Sequence, residues 1–181
     1  VKSFSAVLLL GFAALIVQGA LARTISPPWC PDLAWLVVIG VGLRWPGFVS
    51  GLMVSLPLGY AMDLLSGSLM GQHALMRLIS YLTAAVASRQ LDMSGKVPVA
   101  SFVFAMTMIY GLGIAALSSF FTDSSGIGWD ALSSTFAHAM ANLVAAAPMI
   151  GCVDWIIAHW TDEEVGHRAP IELSRSRGTL S

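Results

Sequence analysis

The sequence predicts an all-α integral membrane protein, folded as a bundle of six transmembrane helices. Three observations carry that prediction. The composition suits lipid better than water, six apolar stretches alternate with helix-breaking segments, and the basic residues fall on one side when the stretches alternate in direction. Of 181 residues, 56% are hydrophobic and 10% charged. A soluble domain carries about 25% charged residues, and this chain has too few to cover its surface against water. A spanning helix takes ~20 mostly apolar residues, so the sequence holds six spans with short connections and leaves no room for a separate soluble domain. A net charge of -1 gives no broad attraction to nucleic acid.

The first stretch, residues 4–21, has the apolar core of a signal peptide. It is long for that role, only Lys2 precedes it and similar stretches follow, so it reads as a first span. Ser26-Pro27-Pro28-Trp29-Cys30-Pro31 cannot continue a helix, because each proline lacks an N–H and clashes with the preceding turn. The second stretch, residues 32–43, is confined between Pro31 and Pro46 and covers only roughly 20 Å at 1.5 Å per residue. It is expected to sit in thinned bilayer, to be shielded by neighbours, or to re-enter. Arg44-Trp45-Pro46-Gly47 breaks the chain before the third stretch, residues 47–65, which Pro57 is expected to kink. Ser66-Gly67-Ser68 leads to the fourth, residues 72–88, and Asp92-Met93-Ser94-Gly95-Lys96 to the fifth, residues 97–121. The segment 122–128 precedes the sixth, residues 130–157. Residues 1–160 thus make one transmembrane domain. Residues 161–181, with Asp162-Glu163-Glu164 and scattered arginines, read as a disordered cytoplasmic tail.

Six alternating spans put Lys2, Arg44, Arg89, Lys96, Arg168, Arg175 and Arg177 on one face and only Arg23 on the other. Arg77 falls inside the fourth span, which accounts for all 9 basic residues. Positive residues mark the cytoplasmic side, so both termini are expected there, and removing one helix would scramble the partition. The tryptophans agree. Trp29, Trp35 and Trp129 fall near the outer interface and Trp45, Trp155 and Trp160 near the inner one, where an indole ring is buried while its N–H stays wet. Cys30 and Cys152 are too few for a disulfide framework and lie toward opposite faces.

Three groups of residues are candidates for function. Gly47, Gly51, Ser55, Gly59 and Asp63 recur every four residues along one face of the third span. Thr107, Gly111, Ala115 and Ser119 repeat the pattern on the fifth. Small faces let helix backbones approach closely in lipid, either within the bundle or as docking faces for a partner's helix. Asp63 and Arg77 are the second group. A lone charge in the membrane is expensive, and paired charges mark a structural lock or a functional site. The hairpin through residues 66–71 is expected to bring them together, with His73, Arg77 and Tyr81 on one face. An ion pair, a ligand or partner site, and a proton relay are the readings, the relay being short of intramembrane carboxylates. Third, His138 and Asn142 lie one turn apart on the sixth span, where interhelical hydrogen bonding is expected.

Catalysis and cofactors find no foothold. His73 and His138 lack further metal ligands at recognisable spacing. Ser68 and His138 are the only pair resembling a protease's, and Gly67-Ser68-Leu69-Met70-Gly71 is not a G-x-S-x-G elbow. No enzyme, metal or cofactor is expected.

The stretch Gly59-Tyr60-Ala61-Met62-Asp63-Leu64-Leu65-Ser66-Gly67-Ser68-Leu69-Met70-Gly71-Gln72-His73-Ala74-Leu75 resembles the rod shape-determining protein MreD family. The shared pattern is Asp-Leu-Leu at a helix end, a small-residue loop, an apolar pair, Gly, and a helix rich in Ala and Leu. Pro31-Asp32-Leu33 and the Gly47–Gly51 entry to the third span also fit. The family often has Pro-Leu-Gly where this chain has Leu69-Met70-Gly71, and the later spans match only in length and hydropathy. The resemblance covers about a third of the chain.

It implies a multi-pass protein of the bacterial inner membrane, non-enzymatic, acting as a scaffold in the elongation machinery that builds lateral-wall peptidoglycan. It implies MreC as partner and, directly or through MreC, MreB, RodA and the transpeptidase that works with RodA. The family fold is similar to the six-helix substrate-capture subunit of energy-coupling-factor transporters. That similarity, with His73, Arg77, His138 and Asn142, supplies the alternative: a membrane-embedded small-molecule capture subunit with an outer polar cavity. Either way, grooves on the bundle are expected to meet membrane lipid or a partner helix.

Overall fold

The computed structural model describes residues 2–45, 47–67, 69–93, 95–122 and 128–166. Six α-helices follow one another: α1 Lys2–Leu21, α2 Leu33–Arg44, α3 Phe48–Ser66, α4 Gln72–Gln90, α5 Lys96–Thr122 and α6 Trp129–Gly166. Each corresponds to one apolar stretch of the sequence. The largest departure is α6, which continues to Gly166, so residues 161–166, expected in the disordered tail, are helical. Residues 167–181, with Arg168, Arg175 and Arg177, lie outside the described residues.

Four helices, α1, α3, α5 and α6, are long and apolar enough to cross a membrane, and the chain is a membrane protein on that ground. Helix α4 has the length, but Gln72, Arg77, Ser80, Thr83 and Arg89 keep it out of that group. Helix α2 is apolar and only 12 residues long. The outside of the bundle is apolar, with Leu9, Ile16, Leu65, Phe120 and Val144 exposed.

The short helix is the centre of the bundle. Ten consecutive residues of α2, Ala34 to Leu43, are buried, against α1, α3, α4 and α6. A helix that is apolar all round has no face for water and belongs inside. Shielding by neighbours, one of the expectations for this segment, is realised. Side chains of α2 enter both apolar cores: Trp35, Leu36, Ile39 and Leu43 pack toward α4, α5 and α6, and Ala34, Val37, Val38 and Val41 toward α1, α3 and α6.

Contacts at the two ends fix alternating helix directions. At one end the hydroxyl of Tyr81, reaching from the middle of α4, donates to the carbonyl of Phe48, where α3 begins (2.7 Å). Arg44, closing α2, faces Asp154, late in α6 (3.2 Å). At the other end, Gln72 at the start of α4 donates through Nε2 to Ile114 O and Ser118 Oγ, late in α5 (both 3.1 Å). The α3–α4 turn is built by Gly67 and Gly71, whose φ of 63° and 90° favours a residue without Cβ. Helix α3 runs through Pro57.

Candidate functional site

A polar cluster occupies the interior near the end of the bundle where α2, α4 and α6 begin. Its centre is Arg77, which is 0% exposed. Nη2 of Arg77 donates to both carboxylate oxygens of Asp32 (2.9 and 3.0 Å), and Nη1 donates to the Leu58 carbonyl of α3 (3.0 Å). Asp32 also caps α2, since its Oδ1 accepts from the Trp35 N–H (2.9 Å). One carboxylate therefore neutralises a buried guanidinium and satisfies an orphan donor at a helix start.

The cluster extends through neutral groups. The Asp32 N–H donates to Asn142 Oδ1 of α6 (2.8 Å). Asn142 Nδ2 donates to Thr107 Oγ1 of α5 (3.4 Å) and lies 3.3 Å from His138 Nε2. His138 Nδ1 lies 3.3 Å from the Pro28 carbonyl. Trp35 Nε1 donates to Ser80 Oγ of α4 (3.0 Å), and the Trp35 ring packs on Tyr110 at 5.6 Å. The Tyr110 hydroxyl is 2.7 Å from His73 Nδ1. Five helices, α2 to α6, thus meet through polar contacts. The interhelical hydrogen bonding expected of His138 and Asn142 has specific partners: α5 for Asn142, and the main chain before α2 for both residues.

The expected pairing of Asp63 with Arg77 is corrected. Asp63, 1% exposed, turns its carboxylate to the start of α4, where it accepts from the N–H groups of Gly71 (3.1 Å), His73 (2.7 Å) and Ala74 (3.1 Å). It caps α4 from the end of α3. Arg77 begins five residues further along, one turn deeper, where its charge partner is Asp32, 45 residues away in sequence. The hairpin brings Asp63 to α4, but to its backbone donors and not to its cation. Asp32 was the partner missed. Its signal was its position at the start of a short, wholly apolar segment whose first N–H groups need an acceptor.

The small-residue stripes are occupied inside the bundle. A Cβ on Gly51 would enter the Tyr81 ring, and one on Gly59 would sit 2.5 Å from the Ala74 Cα of α4. Ser55 is buried in the same interface and donates to Leu52 O (3.1 Å). Gly47 caps α3 beside the Trp45 ring. On α5, Thr107 is buried against Asn142, a Cβ on Gly111 would sit 2.5 Å from Thr135 Cγ2 of α6, and Ala115 and Ser119 are partly buried. Of the two readings of these faces, packing within the bundle is the one seen at Gly51, Gly59 and Gly111, which are closed off by this chain's own helices and so not open as docking faces for a partner.

No family model, no curated protein and no solved structure matches this chain. The site therefore stands on its own geometry. Its donors and acceptors are directed at one another, apart from Arg77 Nε, which has no hydrogen-bond partner. Among the described residues no group of three His, Cys, Asp or Glu side chains converges as for a metal. Ser68, paired with His138 in the protease reading, lies outside the described residues. Both cysteines are free. In the α1–α2 connection, burial and then the Asp32 carboxylate push the Cys30 thiol above its ordinary value.

Open space lies at the edge of the bundle. A groove of about 810 Å³ runs between α1 and α3, walled by Phe12, Leu15, Ile16, Met62 and Leu65, with Gln18 and His138 at its polar end. Gly19 lines it, and a Cβ there would meet nothing within 4 Å.

Proposed function

We propose that this chain is a non-enzymatic scaffold of the bacterial inner membrane, a member of the rod shape-determining protein MreD family. In this reading it crosses the membrane six times with both termini in the cytoplasm. It pairs with MreC to organise lateral-wall peptidoglycan synthesis with MreB, RodA and the transpeptidase that works with RodA. The observation that carries the reading is how the interior is used. The short α2 fills the centre, and the polar residues around it are tied to one another through Arg77 and Asp32. A rigid body of this kind suits a protein that holds partners in position. The stretch that resembles the family also has a definite task, since Asp63 joins α3 to α4.

With the glycine stripes packed internally, the α1–α3 groove is the surface to which this reading assigns MreC's membrane helix. The test is co-expression with MreC and capture in mild detergent. Gly19→Leu fills the groove without a clash inside the bundle, so it is expected to reduce MreC recovery severalfold at unchanged thermal stability. Full recovery of MreC with Gly19→Leu rejects the groove, and no recovery with the unaltered protein rejects the pairing.

The same groove favours a second reading, the small-molecule capture subunit of a transporter, because its apolar walls end in Gln18 and His138. Such pockets combine apolar walls with a few polar groups. A stoichiometric small ligand in the purified protein, with no partner helix, would favour it.

A further inference from the structure

A second cavity, of about 210 Å³, opens at the opposite end of the bundle, where α2 and α4 finish and α3 begins. Its chemistry differs from that of the groove. Arg44, Trp45, Phe48, Tyr81, Ser88 and Arg89 line it, and no carboxylate is in the lining among the described residues. Neither arginine is saturated. Nε of Arg44 is buried with no hydrogen-bond partner. Arg44 is nonetheless ion-paired through that nitrogen with Asp154 Oδ1 (3.2 Å, out of hydrogen-bond alignment), a carboxylate that is itself 46% exposed. Arg89 is exposed, and it has no hydrogen bond or ion pair among the described residues.

Other groups around the cavity add donors. Gly47, the residue capping α3, gives the first turn of that helix no side-chain acceptor. Those N–H groups carry partial positive charge. The Tyr81 and Ser88 hydroxyls donate to Phe48 O and Ala85 O and bring no charge. The depth is also informative. The cavity closes one end of an apolar bundle beside Trp45, and indole rings gather at the headgroup level.

We propose that this cavity binds the phosphate group of an anionic lipid headgroup, with Arg44 and Arg89 as its two cationic walls. Both arginines stand in the last turns of α2 and α4, where a cation offsets the helix carbonyls. That role accounts for a charge on each helix. It does not account for two guanidinium groups meeting on one small cavity that has no carboxylate in its lining among the described residues. The proposal rests only on the bundle lying in a membrane and is independent of which machinery the protein serves.

The test uses the full chain in neutral detergent and native mass spectrometry. Phosphatidylglycerol and phosphatidylcholine of identical acyl chains are titrated in parallel. The expected result is tighter binding of phosphatidylglycerol, with Arg89→Gln weakening that preference about fivefold, as for one basic residue at a membrane surface. Arg89→Gln is expected to leave the thermal midpoint unchanged, and Arg23→Gln, exposed at the opposite end, to leave the preference unchanged. Equal binding of the two lipids overturns the proposal, as does a preference that survives Arg89→Gln while the midpoint falls, the signature of a purely helix-capping role. Equal loss with Arg23→Gln overturns it in favour of diffuse charge. Displacement of phosphatidylglycerol by millimolar inorganic phosphate overturns the lipid source in favour of a soluble anion.

Discussion

The two ends of the bundle handle charge in opposite ways. At the end where α2 and α4 begin, Asp32 and Asp63 are buried and surrounded by donors: a guanidinium and one N–H for Asp32, three backbone N–H groups for Asp63. At the end where α2 and α4 finish, Arg44 and Arg89 border a cavity with no carboxylate in its lining among the described residues, Arg44 being paired with the half-exposed Asp154 and Arg89 being exposed. The contrast separates groups that hold the fold from groups free to meet something else. A saturated buried charge contributes to structure, and removing its partner is costly. A cation at the edge of the bundle, exposed or paired with a half-exposed carboxylate, adds little to folding and is open to a ligand.

The largest effect is therefore expected at the saturated end. Asp32→Ala strands the Arg77 charge in a dry interior and removes the cap of α2. A loss of about 3–5 kcal/mol is expected, measured by unfolding in detergent. Asp63→Ala removes acceptors from three backbone donors but leaves no uncompensated charge. Its cost is expected to be about 2 kcal/mol, with local loss of hydrogen-exchange protection over Gly71–Ala74. At the open end, Arg89→Gln is expected to change stability by less than about 0.5 kcal/mol, while altering lipid preference. If Arg89→Gln destabilised the protein as much as Asp63→Ala, the contrast between the ends would fail.

Much of the fold was legible because lipid imposes a simple rule: apolar stretches long enough to span, separated by segments that break helices. Pro27, Pro28, Pro31 and Gly67 mark breaks that the structure keeps. The position of α2 was less legible. Its length suggested shielding among other options, and only the packing of four helices around it decides that it is central. The site was half legible. Asp63, Arg77, His138 and Asn142 stand out because polar residues are rare in such stretches, and all four make polar contacts in the interior. The pairing was not legible, because proximity in sequence favoured Asp63 and the three-dimensional arrangement favours Asp32. The glycine stripes carry a similar lesson. Periodicity identifies a close helix contact but not whether the partner is α4 or another protein. Tyr110 and Ser80 gave no signal, since each looks like an ordinary core residue until Arg77 is put beside them, and Trp35, expected at the outer interface with a wet N–H, is instead buried in the core with its Nε1 donating to Ser80.

The central claim is that Arg77 belongs to Asp32 and not to Asp63. Two double-mutant cycles in detergent unfolding test it, pairing Arg77→Met with Asp32→Ala and, separately, with Asp63→Ala. The account predicts a coupling of about 2–3 kcal/mol in the first cycle and additivity within about 0.5 kcal/mol in the second. Additivity for Asp32 with strong coupling for Asp63 would contradict it.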